Sequence, residues 1–139
     1  MAIKQISVML ENKQGQLANV IKTISDADIN IRALSIAETS SFGMLRLIVS
    51  DPDKVKETLD DSAIVVQTEV IAVKMDDEEG SLYKILKVLE DADINVDYSY
   101  AFTASHQNGA YVVFRVGDVA AAEEVLAAKG FKFISNEEI

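Results

Sequence analysis

The chain has 139 residues, is 49% hydrophobic, carries a formal net charge of −10 and contains no cysteine. That length supports one domain or two small ones, and the absence of cysteine excludes a disulfide frame, a thiolate metal site and a thiol nucleophile. The acidity disfavours phosphate backbones, with no run of Lys or Arg along the sequence to offset it, and no apolar run approaches the ~20 residues that span a bilayer.

Residues 1–10 lack the basic and apolar segments of a secretory signal, so the expected location is the cytoplasm, where acidity serves solubility. Ile6, Val8 and Leu10 alternate with more polar neighbours, predicting a first strand. Leu17, Val20, Ile21 and Ile24 then recur at helical spacing, giving an amphipathic helix with one stripe to bury. Asp26-Ala27-Asp28-Ile29-Asn30 breaks that helix and leads into a second strand, and Gly43 marks the turn into a third, Met44–Val49. Asp51-Pro52 supplies an N-cap and a first-turn proline for a second helix that buries Val55 and Leu59. A last strand is expected near Ile64–Gln67.

The same series then begins again. Asp91-Ala92-Asp93-Ile94-Asn95 repeats Asp26-Ala27-Asp28-Ile29-Asn30 residue for residue, 65 positions further on. The same offset pairs Gly15 with Gly80, Leu17 with Leu82 and Val8 with Val73. Asp51 pairs with Asp118 and Leu59 with Leu126 at an offset of 67, so two residues were added near Ser105–Asn108. A register that holds this long and slips only in a loop is the mark of duplication. The second half therefore has a strand at Ile71, Val73 and Met75, a helix at Leu82, Ile85, Leu86 and Leu89, and a third strand at Tyr111–Val116 after Gly109. Asp118 caps its second helix, with Ala122, Val125 and Leu126 buried, and a last strand lies near Phe131–Ile134. The predicted fold is α+β: two tandem ferredoxin-like βαββαβ modules, residues 1–68 and 69–139, each an antiparallel sheet with helices on one face. The third strands are apolar at nearly every position. Either another chain covers the second sheet face, which suggests a homo-oligomer, or these are scattered surface apolars.

Little in the sequence speaks for catalysis. The single histidine, His106, stands beside a Gln-Asn-Gly turn and reads as a solvated loop residue. No nucleophile elbow, zinc-protease motif, P-loop or dinucleotide fingerprint is present. Acylphosphatases share the element order but grip phosphate with an arginine in the first turn, and Glu11-Asn12-Lys13-Gln14-Gly15-Gln16 has none. Copper chaperones of this topology need paired cysteines. Asp76-Asp77-Glu78-Glu79 has the carboxylates for a cation, but acidic residues ahead of a helix also complement its dipole. No metal and no cofactor is therefore expected.

Binding geometry is another matter. In each half a strand enters a helix through a glycine turn, Asn12-Lys13-Gln14-Gly15-Gln16-Leu17 and Asp77-Glu78-Glu79-Gly80-Ser81-Leu82. Glycine there permits positive φ and close approach to the main chain, and the first-turn N–H groups can accept a carboxylate. Asn12 adds a side-chain amide. On geometry alone the glycines serve equally well as simple tight turns.

The pattern Asn-x-x-Gly-x-Leu, a helix, then Asp-x-Asn-Ile resembles the ACT-domain family of small regulatory modules. Tyr98-Ser99-Tyr100-Ala101-Phe102 followed by Gly109–Val116 resembles a tandem-ACT, amino-acid-binding subfamily. The resemblance extends over essentially the whole chain, once per half. It implies modules joined side by side through strand 2 into an eight-stranded sheet, with an amino acid between a first turn and a neighbouring strand 2. One site would then comprise Asn12, Gln14, Gly15, Gln16 and Leu17 with Asp97, Ser99 and Tyr100. Its twin would comprise Asp77, Glu79, Gly80, Ser81 and Leu82 with Arg32, Leu34 and Ser35. The first turn is near neutral, Glu11 against Lys13, whereas the second is acidic and repels a carboxylate, so the second site is expected to be the weaker. The resulting expectation is a non-catalytic sensor of a small amino acid, not an enzyme, that reports through a homodimer or an unidentified protein partner, without nucleic acid or membrane. The alternative is a protein-interaction module of the same fold that has lost small-molecule binding.

Overall fold

The computed structural model describes residues 2–61, 63–103 and 109–138, so His106 and the inserted loop lie outside the described residues. The chain divides into two compact units, Lys4–Thr68, and Glu69–Ile139 together with Met1–Ile3. The first unit runs β1 (Ile3–Glu11), α1 (Gln16–Asp26), β2 (Ile31–Glu38), β3 (Phe42–Val49) and α2 (Pro52–Leu59). After β4 (Ile64–Met75), the second runs α3 (Ser81–Asp91), β5 (Val96–Thr103), β6 (Ala110–Val116) and α4 (Val119–Ala128). Both are mixed α+β units of the βαββαβ kind.

Period-two alternation decides which face each strand buries. In the first unit Ile6, Val8 and Leu10 of β1 and Leu45, Leu47 and Val49 of β3 pack with Ile24 of α1 and Val55 and Leu59 of α2. Ile71, Val73, Val112, Phe114 and Val116 pack in the same way with Ile85, Leu89, Ala122 and Leu126 in the second. β3 pairs antiparallel with both β1 and β2, and β6 with both β4 and β5.

The duplicated Asp-Ala-Asp-Ile-Asn stretch is a helix stop. Asp28 and Asp93 adopt left-handed φ of 59° and 58°. The Asp28 and Ile29 N–H groups donate back to Ser25 and Ile24 carbonyls, and Asp93 and Ile94 donate to Glu90 and Leu89. This is a Schellman closure, which satisfies the helix's last carbonyls. The second helix of each unit starts on the expected cap, with Asp51 accepting from Lys54 N–H at 3.1 Å and Asp118 from Ala121 N–H at 3.0 Å.

Among the described residues six strands form where a doubled four-stranded sheet has eight. No glycine or proline separates Gln67 from Ile71, and the chain runs on as one strand of 12 residues, β4. Val65 packs on the first core, and Ile71 and Val73 belong to the second. The expected last strand at 131–134 is reduced to a bridge between Val73 and Phe133. Two hydrogen bonds flank it, Lys74 N–H to Lys132 carbonyl at 2.8 Å and Ile134 N–H to Ala72 carbonyl at 3.0 Å.

The apolar character of the third strands accompanies burial: Tyr111 and Val113, on the β6 face away from the helices, are 2% and 0% exposed, and Ile48 of β3 is 1% exposed. Among the described residues no helix is long and apolar enough to cross a membrane.

Candidate functional site

The two strand-to-helix turns share one backbone design. Gly15 and Gly80 occupy the N-cap positions in left-handed conformation, φ 85° and 83°. Lys13 N–H donates to Glu11 carbonyl and Gln16 N–H to Lys13 carbonyl, at 2.9 and 3.2 Å. Glu78 to Asp76 and Ser81 to Glu78 repeat these bonds at the same two distances. The helical ladder then opens with Asn19 N–H on Gly15 carbonyl and Lys84 N–H on Gly80 carbonyl. Among the described residues, the N–H groups of Leu17 and Ala18, and of Leu82 and Tyr83, find no backbone acceptor. Neither glycine has a side-chain cap to occupy them. A Cβ built on either glycine meets nothing within 4 Å, so the approach to these donors is open.

Leu17 and Leu82 depart from the sequence expectation in the same way. Each was assigned to its helix's buried stripe, yet they are 37% and 42% exposed. Both sit in the first turn, ahead of the point where the helix meets the sheet, and give the open donors an apolar flank. Asn12 also differs. Its amide donates from Nδ2 to Thr39 carbonyl at 3.1 Å, and its N–H to Ser41 carbonyl at 3.0 Å. That amide ties the turn to the hairpin between β2 and β3, leaving its oxygen and one N–H for a ligand.

The turns differ in charge. Lys13 and Glu11 form an ion pair at 2.7 Å, and the hydrogen bond that Lys13 donates to the Glu11 carboxylate, aided by that group's charge, raises the Lys13 pKa. Gln14 and Gln16 are neutral, so the first turn presents its donors without a net field. At the second turn Asp76, Asp77, Glu78 and Glu79 are all exposed, and the last three border an open hollow of about 590 Å³. Among the described residues no group of three or more acidic or histidine side chains is disposed to hold a metal ion.

The strand-2 residues occupy β2 and β5, each paired with a single neighbour within its own unit. The registers shift between Ile31 and Ala33 and, identically, between Val96 and Tyr98. The extra residues are Arg32 and Asp97, both exposed. Bulges re-aim side chains at sheet edges and beside functional sites; here they present opposite charges at equivalent places. Asp97 also accepts from Asn95 Nδ2 at 3.1 Å. Leu34 is 52% exposed, Ser35 and Tyr100 are half-buried, and Ser99 is exposed. Asn12, Gln14, Gly15, Gln16 and Leu17 are thus brought together in one unit, and Asp97, Ser99 and Tyr100 on one strand of the other. The second set divides likewise, with Asp77, Glu79, Gly80, Ser81 and Leu82 in one turn and Arg32, Leu34 and Ser35 on β2.

Such a doubled ferredoxin-like unit, with open helix starts and bulged edge strands, has the architecture of a pair of small regulatory-type modules. The chain belongs to the ACT domain pair family, whose model matches residues 1–139. A crystal structure of a protein from Bacteroides thetaiotaomicron is 37% identical, with a TM-score of 0.91 over 99% of this chain and 95% of that one. The ligand-free regulatory subunit of aspartate kinase from Thermus thermophilus has the same fold at 12% identity, with a TM-score of 0.65 over 90% of this chain and 91% of that one. Aspartokinase III from E. coli, solved in complex with lysine and aspartate, is 14% identical, with a TM-score of 0.52 over 92% of this chain and 31% of that one. No curated protein matches the chain. The whole length is thus accounted for by a regulatory-type module pair, and no catalytic family is indicated.

Proposed function

We propose that this protein is a non-catalytic regulatory sensor of a small amino acid. The observation that carries the proposal is the pair of open N–H groups at Leu17 and Ala18, set in a neutral turn behind Gly15. A ligand carboxylate accepts from both, with the α1 dipole in its favour. Its α-ammonium takes Asp97 from the bulge of a strand-2 edge, with Ser99 and Tyr100 alongside, and Leu17 covers an apolar side chain. The second combination, Asp77, Glu79, Gly80, Ser81 and Leu82 with Arg32, Leu34 and Ser35, opposes a carboxylate with its own acidic turn and is the weaker site. Regulatory subunits of aspartate kinase share the fold, which supports a regulatory role, and the aspartokinase III complex contains lysine and aspartate, which supports the ligand class.

Since sensing requires one state to be favoured over another, the output is assigned to a change of homodimer or of contact with a protein partner. A second reading rests on the first unit's exposed apolar residues Leu34, Ile36 and Phe42, at 52%, 44% and 51%. These suit a protein-interaction module without a small ligand. Thermal-shift measurements against the twenty amino acids separate the readings, because a ligand of the native state alone raises the melting temperature by mass action. A rise with one or a few amino acids supports the sensor, and no rise supports the interaction module.

A further inference from the structure

A cavity of about 350 Å³ lies within the second unit, lined by Lys74, Met75, Asp76, Ser81, Lys84, Ile85, Lys129, Gly130, Phe131 and Lys132. Four lysines and one acid thus surround it in a chain whose net charge is −10. Along the sequence these lysines are scattered, and no basic run announces them; the fold collects them. None forms an ion pair among the described residues, whereas Lys4, Lys13, Lys22 and Lys87 each do.

Ser81 lies on the wall of this cavity. It is only 8% exposed, and its hydroxyl, with no hydrogen-bond partner among the described residues, is free to donate into the cavity. Beside it are the open first-turn N–H groups of α3. Lys84 stands three residues along the same helix, and Lys129 is the C-cap of α4. Gly130, at φ 86°, turns the chain so that Phe131 and Lys132 close the far side. Lys74 and Lys132 are neighbours across the bridge, where like charges oppose each other and are destabilising without a counter-charge.

The fold does not demand these residues. At the corresponding positions the first repeat has Met9 for Lys74, Gln16 for Ser81, Asn19 for Lys84, Ser62 for Lys129 and Val65 for Lys132. The second repeat alone carries the cationic set. The acids Asp77, Glu78 and Glu79 border a different hollow, which leaves Asp76 as the only carboxylate on the wall.

We infer that this cavity binds a phosphate-type dianion, either free or as the phosphate group of a small metabolite. The four lysines set the field at the cavity against Asp76 and the acidic turn: Ser81 Oγ donates to the dianion, Lys84 and Lys129 neutralise it, and Lys74 and Lys132 add to the field. Met75, Ile85 and Phe131 give an organic portion an apolar wall. The cavity lies inside one unit and does not use a strand-2 edge; it shares only Ser81 with the weaker amino-acid site, so the inference does not depend on sensing at the first turn.

The test is titration of the full chain, followed by amide NMR at low ionic strength, with inorganic phosphate in one arm and phenyl phosphate in the other. Expected are saturable shifts of the Ser81, Leu82, Lys84 and Gly130 amides at concentrations on the order of millimolar. Tighter binding of phosphate assigns the site to the free ion, and tighter binding of the ester to a metabolite; both support the dianion site. The double substitution Lys84→Gln with Lys129→Gln weakens binding at least about tenfold, the loss of two charge-assisted contacts, while other amides keep their positions. Ser81→Ala, assayed in parallel, also weakens it. Shifts that never saturate, or that match those produced by sodium chloride of equal ionic strength, overturn the inference, as does unchanged affinity in the double variant.

Discussion

Replacing Gly15 or Gly80 with alanine isolates what their backbone conformation is worth. Both residues sit at nearly the same left-handed φ, 85° and 83°, and an added Cβ meets nothing within 4 Å at either. The penalty is therefore conformational strain alone, about 1–2 kcal/mol for a residue with a Cβ. Alanine also lowers the entropy of the unfolded chain, which returns about 0.4–1 kcal/mol. A net loss of about 0.5–1.5 kcal/mol is expected at each glycine, which is a fall of roughly 2–12 °C in Tm for units of this size. Urea denaturation followed by circular dichroism measures it, and the slope against denaturant should stay constant, since the surface exposed is unchanged. Asparagine, which tolerates this region better, should lose less at both positions. Equal losses at the two turns are the signature of strain. A neutral outcome at either, or a loss at one several times that at the other, refutes this reasoning.

The other expectations are more local. Asp51→Ala and Asp118→Ala each remove a helix cap and should cost about 1 kcal/mol, additively in equilibrium denaturation because they serve different helices. Asp28→Gly and Asp93→Gly relieve left-handed strain but loosen the unfolded chain, and should leave a net gain of about 0.5 kcal/mol; a loss at both would contradict the Schellman account. Burial, with a smaller contribution from Glu138, raises the Tyr111 pKa above the usual 10.0. Because the folded state then holds its proton more tightly, this stability is complete below the unfolded value and is lost as pH rises above it. Tyr111→Phe should therefore flatten the decline of Tm on the alkaline side of pH 10 relative to the parent protein, and parallel declines would contradict the assignment.

Most of the fold was legible because duplication writes each signal twice. The Asp-Ala-Asp-Ile-Asn stop, the two glycine turns and the caps at Asp51 and Asp118 are local devices whose chemistry is readable in a few residues. The last strand of each half was less so. Thr68-Glu69-Val70 contains nothing that interrupts a strand, so β4 continues through it, and the segment at 131–134 keeps too few ladder bonds to count as more than a bridge. Leu17 and Leu82 fit a helical stripe perfectly in sequence, but periodicity does not say where the sheet's cover ends. Asn12 shows the same difficulty in hydrogen bonding, since its partner Thr39 is 27 residues away. The bulges at Arg32 and Asp97 depend on pairing register, which a single strand does not encode. The lysines at 74, 84, 129 and 132 come together only when β4, the bridged segment at 131–134 and two helices are in place.

Amino-acid binding at the first turn is tested most directly by calorimetric titration of each of the twenty amino acids into the parent protein, and of any that binds into Asp97→Asn. The account predicts saturable binding of one or a few small amino acids, weakened about tenfold or more by removal of the charge that meets the α-ammonium. Absence of binding by all twenty, or undiminished binding to the Asp97 variant, contradicts it.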